Sequence, residues 1–175
     1  MPDCALFTIG HSTRTLDDFV ALLRAWQIER VVDVRTAPGS RRHPQFNADA
    51  LETELPHVGI AYERMAALGG FRRARADSPN AGWRNASFRG FADYMGTEEF
   101  GSALEDLVDR ARTARIAIMC AEAVPWRCHR SLIADALVAR GCVVRHITSR
   151  KRADEHHLTP FARVDGASLT YPSLI

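Results

Sequence analysis

The chemistry-bearing residues of this chain concentrate in Cys120-Ala-Glu-Ala-Val-Pro-Trp-Arg-Cys-His-Arg130, which joins the apolar run Ile116 to Met119 to the amphipathic run Leu132 to Arg140. Read as strand, loop and helix, it sets a thiol (Cys120) and a carboxylate (Glu122) at a strand end. A second thiol (Cys128), an imidazole (His129) and two guanidiniums (Arg127, Arg130) then crowd the start of a helix. A helix N-terminus carries about half a positive charge, so cations are disfavoured there. Three of them together imply that an anion, from the protein or from a ligand, completes the site. A thiol at a helix start beside a histidine has a lowered pKa and more thiolate, the condition for nucleophilic catalysis. Cys128 therefore reads either as a nucleophile or as a packed, site-lining thiol. Cys120, inside a strand, reads as apolar wall.

Two further segments deliver polar groups to the same edge. Gly10-His11-Ser12 follows the apolar run Ala5 to Ile9, and Asp33 and Arg35 end a run beginning at Val31. His11 is a candidate acid or base, or a hydrogen-bonded structural histidine. Ser12, Thr13 and Ser40 are candidate phosphate ligands or turn formers. Arg127 and Arg130 either hold a ligand anion or pair with Glu122 and Asp33. Cys120 to Arg127 superficially matches the phosphatase loop, in which cysteine and arginine bracket a phosphate. Here six residues intervene, one more than that loop uses, and Glu122 and Pro125 replace the glycines of its backbone nest, so that identity is rejected. A metal is not expected. His11, Cys120, Glu122, Cys128 and His129 are ligand types, yet the eight-residue step between the cysteines is no zinc spacing, and adjacent Cys128 and His129 diverge on a helix. The sequence names no cofactor.

What must position these groups is an alternation of apolar and amphipathic segments, the pattern of an α/β fold. Strands are predicted at Ala5 to Ile9, Val31 to Val34, Ile60 to Arg64, Ile116 to Cys120 and Val143 to Ile147. A capping box of Thr15 and Asp18 opens a helix that ends near Trp26. Asn47 caps a short helix that should stop before Pro56, and another helix spans Ser87 to Met95. A longer one follows Thr97 with Phe100, Ala103, Leu104, Leu107, Val108 and Ala111 inward, and the helix after Cys128 ends at Gly141. Residues 65 to 86 read as a long loop. The expected architecture is one α/β domain over residues 1–150, a mainly parallel sheet of about five strands with helices on both faces. Its site lies at the C-terminal strand edge, and a partly irregular tail over 151–175 carries a solvated His156-His157.

Composition is that of an ordinary globular protein, 46% hydrophobic and 25% charged, so a single sizeable core is available. There is no long apolar run and no basic-then-apolar leader, so no membrane partner is expected and the cytoplasm is the expected setting. In that compartment Cys4, Cys120, Cys128 and Cys142 are expected to be reduced thiols. A net charge of +2 is too small to imply nucleic-acid binding. Of 23 basic residues only Lys151 is a lysine, which reflects either a genome rich in guanine and cytosine or arginine forks that grip phosphate and carboxylate. Phe71-Arg-Arg-Ala-Arg75, Trp83-Arg84, Phe88-Arg89 and Phe91 mix cations with aromatics as nucleic-acid surfaces do.

Taken together, Thr8-Ile-Gly-His-Ser12, Asp33-Val-Arg35, Cys120-Ala-Glu122 and Cys128-His-Arg130 resemble the uncharacterised prokaryotic family called domain of unknown function 488, over about residues 5–147. The resemblance implies a compact cytoplasmic α/β domain and carries over no reaction. Its signature positions fall on His11, Ser12, Asp33, Arg35, Cys120, Glu122, Cys128, His129 and Arg130; the Arg-rich loop 71–89 is less clearly part of the pattern. The leading expectation is an enzyme or binding protein for a phosphorylated or otherwise anionic small molecule, a nucleotide included. Arg127, Arg130, His129, Ser12 and Arg35 would hold the anion. Cys128, His11 and Glu122 would form the catalytic set, supported by Asp33 and Cys120. On this reading Arg130→Ala loses binding without unfolding. The alternative is a non-catalytic nucleic-acid-binding module using Arg41, Arg42 and the 71–89 loop, with an affinity that falls steeply with salt.

Overall fold

Apolar runs without alternation make strands buried on both faces, and this chain has several. The computed structural model describes residues 4–173. In it β1 (Ala5–Gly10), β2 (Arg30–Asp33), β3 (Ala61–Arg64), β4 (Ile116–Cys120) and β5 (Val143–Ile147) lie where the apolar runs predict them. These strands are mutually parallel, and a sixth, β6 (Ala153–Glu155), pairs antiparallel with β5. The sheet order is β3-β2-β4-β1-β5-β6.

Five helices connect the strands: α1 (Leu16–Ala25), α2 (Ala48–His57), α3 (Ala86–Tyr94), α4 (Glu98–Ala111) and α5 (Arg130–Ala139). Thr15 accepts from the Asp18 amide at 3.1 Å and Thr97 from the Phe100 amide at 3.3 Å, so each satisfies a donor that has no partner inside its helix. Gly141, just past α5, holds φ at +86°, as a glycine after a helix end should. One expectation fails: α2 runs through Pro56 to His57 rather than stopping before it. Pro56 lies in the last turn, where the single lost amide bond is tolerable because the helix ends there. Asn47 precedes α2 without capping it; its Oδ1 accepts instead from the Ser40 amide at 2.7 Å.

Strand alternation divides the core in two. Phe7, Ile9, Val31, Ala117 and Met119 pack beneath Phe19 and Leu23 of α1 and Leu51 and Leu55 of α2. Leu6, Val32, Val34, Ile116 and Ile118 pack beneath Phe91, Phe100 and Leu104 of α3 and α4 and Leu132 and Leu137 of α5. The connections leaving β1 and β2 therefore cross one face, and those leaving β3 and β4 cross the other. Chain paths part on both sides of β4, and in open α/β sheets ligands sit in such crevices beyond the strand ends.

Two expectations need correction. Cys4 and Cys142 are not free thiols but a disulfide, with Cα atoms 4.7 Å apart. The register explains it: Ala5 pairs with Val143, so the two cysteines stand side by side at the starts of adjacent parallel strands. The tail alternates short strands with irregular stretches, and its histidines part. Beyond β6 it forms a ribbon of β7 (Arg163–Asp165) and β8 (Ser168–Thr170). Tyr171 is fully buried, its amide held by Asn80 Oδ1 at 2.9 Å. His157 is exposed as predicted, whereas His156 turns inward.

Candidate functional site

The end of β1 and the loop after β4 interlock. The amides of His11 and Ser12 donate to the carbonyls of Cys120 and Ala121 at 3.0 and 2.9 Å. A Cβ on Gly10 would lie 1.8 Å from the Glu122 carbonyl oxygen, so no larger residue fits there. Ser12 pays for this path with a left-handed φ of +50°.

This interlock sets Cys120 at the mouth of the β4 crevice, with Cys128 facing it from the turn that precedes α5. The two are the free cysteines among the described residues, both buried; the Cys120 thiol donates to the Glu122 carbonyl and the Cys128 thiol to His129 Nδ1, each at 3.5 Å. Burial raises the Cys120 thiol, but its interaction with Cys128, the nearby Arg130 charge and the Glu122 backbone outweigh it and leave Cys120 below the usual thiol range. Cys128 moves the other way, pushed far up by its interaction with Cys120 and then by burial. Of the two, Cys120 is the thiol whose surroundings favour the thiolate, while Cys128, beside the helix start, remains the candidate the sequence offers.

Arg130 is fully buried and is not open to a ligand. Its guanidinium donates to Thr8 Oγ1 at 2.7 Å and to the carbonyls of Glu122 and Ala123 at 2.8 and 3.0 Å, while its Nε has no partner. Among the described residues no carboxylate pairs with it directly: Asp33 is taken by Arg35. Its charge is linked to an anion only through a relay. Thr8 Oγ1 is hydrogen-bonded to His146 Nδ1 (2.6 Å), His146 Nε2 to His156 Nδ1 (2.8 Å), and His156 Nε2 to Asp135 Oδ1 (2.7 Å). A guanidinium only donates and a carboxylate only accepts, so the relay has a fixed donor at its Arg130 end and a fixed acceptor at Asp135. Thr8, Asp135, His146 and His156 escaped the sequence reading. The signal available was a polar residue at an inward position of an apolar strand, Thr8 in β1 and His146 in β5.

His129 donates from Nε2 to the carbonyls of Val34 (2.9 Å) and Leu68 (3.1 Å), which fixes its neutral tautomer. Its Nδ1, 3.5 Å from the Cys128 sulfur, is left as an acceptor, and Gly70 leaves that nitrogen uncovered because a Cβ there would approach to 3.1 Å. Arg35 forks onto Asp33 through Nε (2.9 Å) and Nη2 (2.7 Å), and Tyr62 Oη donates to the same carboxylate at 2.5 Å. His11 stacks on Phe46, donates from Nδ1 to the Ser12 carbonyl and accepts at Nε2 from Arg35, so both nitrogens are engaged.

Of the predicted residues, Arg35, Cys120, Glu122, Arg127, Cys128 and His129 line one cavity of about 470 Å³ at the end of β4. His11, Ser12, Asp33 and Arg130 stand behind it. Glu122 serves through its carbonyl, and Arg127 is exposed at the rim. Phe71, also at the rim, is 82% exposed at a left-handed φ of +43°, a strain that bulky residues rarely carry away from ligand clamps and turns. The aromatics of the Arg-rich loop are otherwise anchors: Phe91 is buried, and Trp83 packs on Phe88, Phe161 and Tyr171. Arg75 pairs with Asp77 and Arg72 lies over the Tyr94 ring, while Arg41, Arg42, Arg73 and Arg84 face solvent. Among the described residues no cluster of three metal-ligating side chains forms, and no helix is long and apolar enough to cross a membrane.

The buried histidines set a pH dependence. Burial pulls His11 down to about 4, against its bond to the Ser12 carbonyl, with the charges of Arg35 and His43 adding to the fall. Burial likewise pulls His146 down to about 3, helped by His156 and Arg130, and lowers His129. Below about pH 6.5 the unfolded chain therefore binds more protons than the folded one, and stability falls with pH. The urea midpoint should hold above about pH 7 and drop steadily from about 6.5 to 5, an interval in which most carboxylates stay ionised. A midpoint that is constant across that interval would contradict these environments.

Neither curated proteins nor solved structures provide a match to the chain. The model of one family does match, over residues 15–137, a span that takes in Asp33, Arg35, the whole Cys120 to Arg130 segment and most of α5 but leaves Thr8 to Ser12 outside. With most of its length matched, and with Asp33, Arg35 and both thiols inside the matched span, the chain belongs to the family described as domain of unknown function DUF488.

Proposed function

We propose that the protein is a thiol-dependent enzyme for a small phosphorylated or otherwise anionic molecule, bound in the pocket at the end of β4 with Cys120 as its nucleophile. The observation that carries this reading is a fully buried arginine with no carboxylate beside it, next to a cavity lined by two free thiols. A buried cation without a counterion is costly, and a thiolate on Cys120 supplies the missing charge. Arg35 and Arg127 on the cavity wall favour an anionic substrate, and strained Phe71 at the rim suits a residue that closes on a ligand. In the chemical step the Cys120 sulfur bonds to the electrophilic centre, the bond to the leaving oxygen breaks, and Cys128 gives that oxygen its proton.

The test is site-resolved iodoacetamide labelling across pH 5 to 9, with and without inorganic phosphate or mixed nucleotides. Cys4 and Cys142 are already paired, so Cys128 is the internal reference. Cys120 should react well below pH 8 and roughly tenfold or more faster than Cys128, with anions slowing it. A Cys120 inert at every pH, or one labelled equally fast with saturating anion, refutes the proposal.

A further inference from the structure

We propose that Cys120 and Cys128 are also a two-electron redox couple, reducing small hydroperoxides by closing to an internal disulfide that a thiol reductant reopens. This rests on the same reactive Cys120 as the proposed function, but on the second sulfur rather than on the anion.

Four observations converge. The two thiols line one cavity and interact side chain to side chain, one from the end of β4 and one from the turn before α5. Both line one cavity, yet Cys120 is only 2% exposed and Cys128 8%, which admits a small oxidant more readily than a bulky one. The guanidinium of Arg130, fixed by Thr8 and two carbonyls, favours the thiolate that attacks a peroxide. Finally, Cys128 has a proton acceptor in place: its thiol donates to His129 Nδ1 at 3.5 Å, the nitrogen left to accept by the bonds from Nε2. The other two cysteines are locked in a separate disulfide, so among the described residues these are the thiols available for exchange.

The chemistry balances in two steps. The Cys120 thiolate attacks the terminal oxygen of R–O–O–H; the O–O bond breaks, the sulfur is oxidised to sulfenic acid, and the alkoxide takes a solvent proton and leaves as an alcohol, or as water when the oxidant is hydrogen peroxide. The Cys128 proton then passes along its existing hydrogen bond to His129 Nδ1. The Cys128 sulfur attacks the Cys120 sulfur, the S–O bond breaks, and the departing hydroxide takes that proton as water. Two thiols and one hydroperoxide give one disulfide, one alcohol and one water. A dithiol, or two monothiols, returns two electrons and two protons.

The test treats the intact protein with one equivalent of hydrogen peroxide, then dimedone and iodoacetamide, and maps peptides without reduction. Trypsin cuts after Arg127, so a Cys120–Cys128 bond joins peptide 116–127 to peptide 128–130, otherwise separate. Both thiols should disappear together with the joined peptide as main product and no dimedone on Cys120. In Cys128→Ser, and equally in Cys128→Ala, a dimedone adduct should accumulate on Cys120. Wild-type protein that carries dimedone on Cys120 while Cys128 still alkylates overturns the couple, as does indifference to a tenfold excess of peroxide. A joined peptide with no anion effect on labelling supports the couple and refutes the anionic-substrate reading. Anion protection without the joined peptide does the reverse.

Discussion

Replacing Arg130 by methionine should destabilise the protein by about 3–5 kcal/mol in urea denaturation. Exchanging a buried ion pair for apolar side chains can be neutral, because both desolvated charges go. Here they do not go together. The guanidinium binds the carbonyls of Glu122 and Ala123 and the Thr8 hydroxyl, which all remain after the substitution and lose this donor. Each stranded acceptor costs about 1–3 kcal/mol, so the loss outweighs any relief from desolvation. The same change removes the charge that holds Cys120 below the usual thiol range, so its labelling profile should shift to higher pH. Arg130→Lys separates the effects: it retains the cation near Cys120 but cannot fork across two carbonyls. A methionine variant within about 1 kcal/mol of the parent, with an unchanged labelling profile, would contradict both roles. Arg130 was expected from sequence to bind a ligand anion and to be dispensable for folding; its position beneath the loop reverses that expectation.

The second large effect is expected at Asp135. Its Oδ1 accepts from His156 Nε2 and the Thr159 amide, and its Oδ2 from the Thr159 hydroxyl and Tyr171 Oη. Three tail residues thus converge on one carboxylate of α5, itself fully buried. Asp135→Ala leaves all four donors without an acceptor and should cost about 3–5 kcal/mol. Unlike Arg130→Met, it should act locally first. Tryptic cleavage after Arg152 and Arg163 should accelerate at least tenfold under native conditions, because the tail loses its anchor while the sheet keeps its core. Asp135→Asn should fall between, since an amide offers one accepting oxygen where two are needed. Equal cleavage rates in parent and alanine variant would show that Tyr171 and the ribbon hold the tail without Asp135.

The central strands and the helices on them were legible because each apolar run is long enough to be buried on both faces. The run Ile116 to Cys120 and the run Val143 to Ile147 match β4 and β5 residue for residue. The convergence of Cys120, Cys128, His129 and Arg35 was legible too, since strand ends in a parallel sheet share one edge. What sequence patterning does not encode is pairing between distant positions. Nothing local in Cys4 or Cys142 marks the disulfide; only the β1–β5 register does. Likewise His156 in a polar tail looks solvated until β6 folds it back beside His146.

The bond between Cys4 and Cys142 makes a covalent ring of nearly all of the domain, with a sequence separation of 138. Both pocket thiols, His129, Arg35 and the loops that bear them lie inside the ring; His146, His156 and the ribbon hang outside it. The two parts answer differently to a protease. One cut in the exposed 71–89 loop leaves two fragments tethered, able to reassemble the pocket as long as the tether is oxidised. A cut ahead of His156 simply discards that link of the relay. Tethering of this length limits the unfolded chain by about 5 kcal/mol in a chain-entropy account, so a reductant loosens a nicked molecule far more than a whole one.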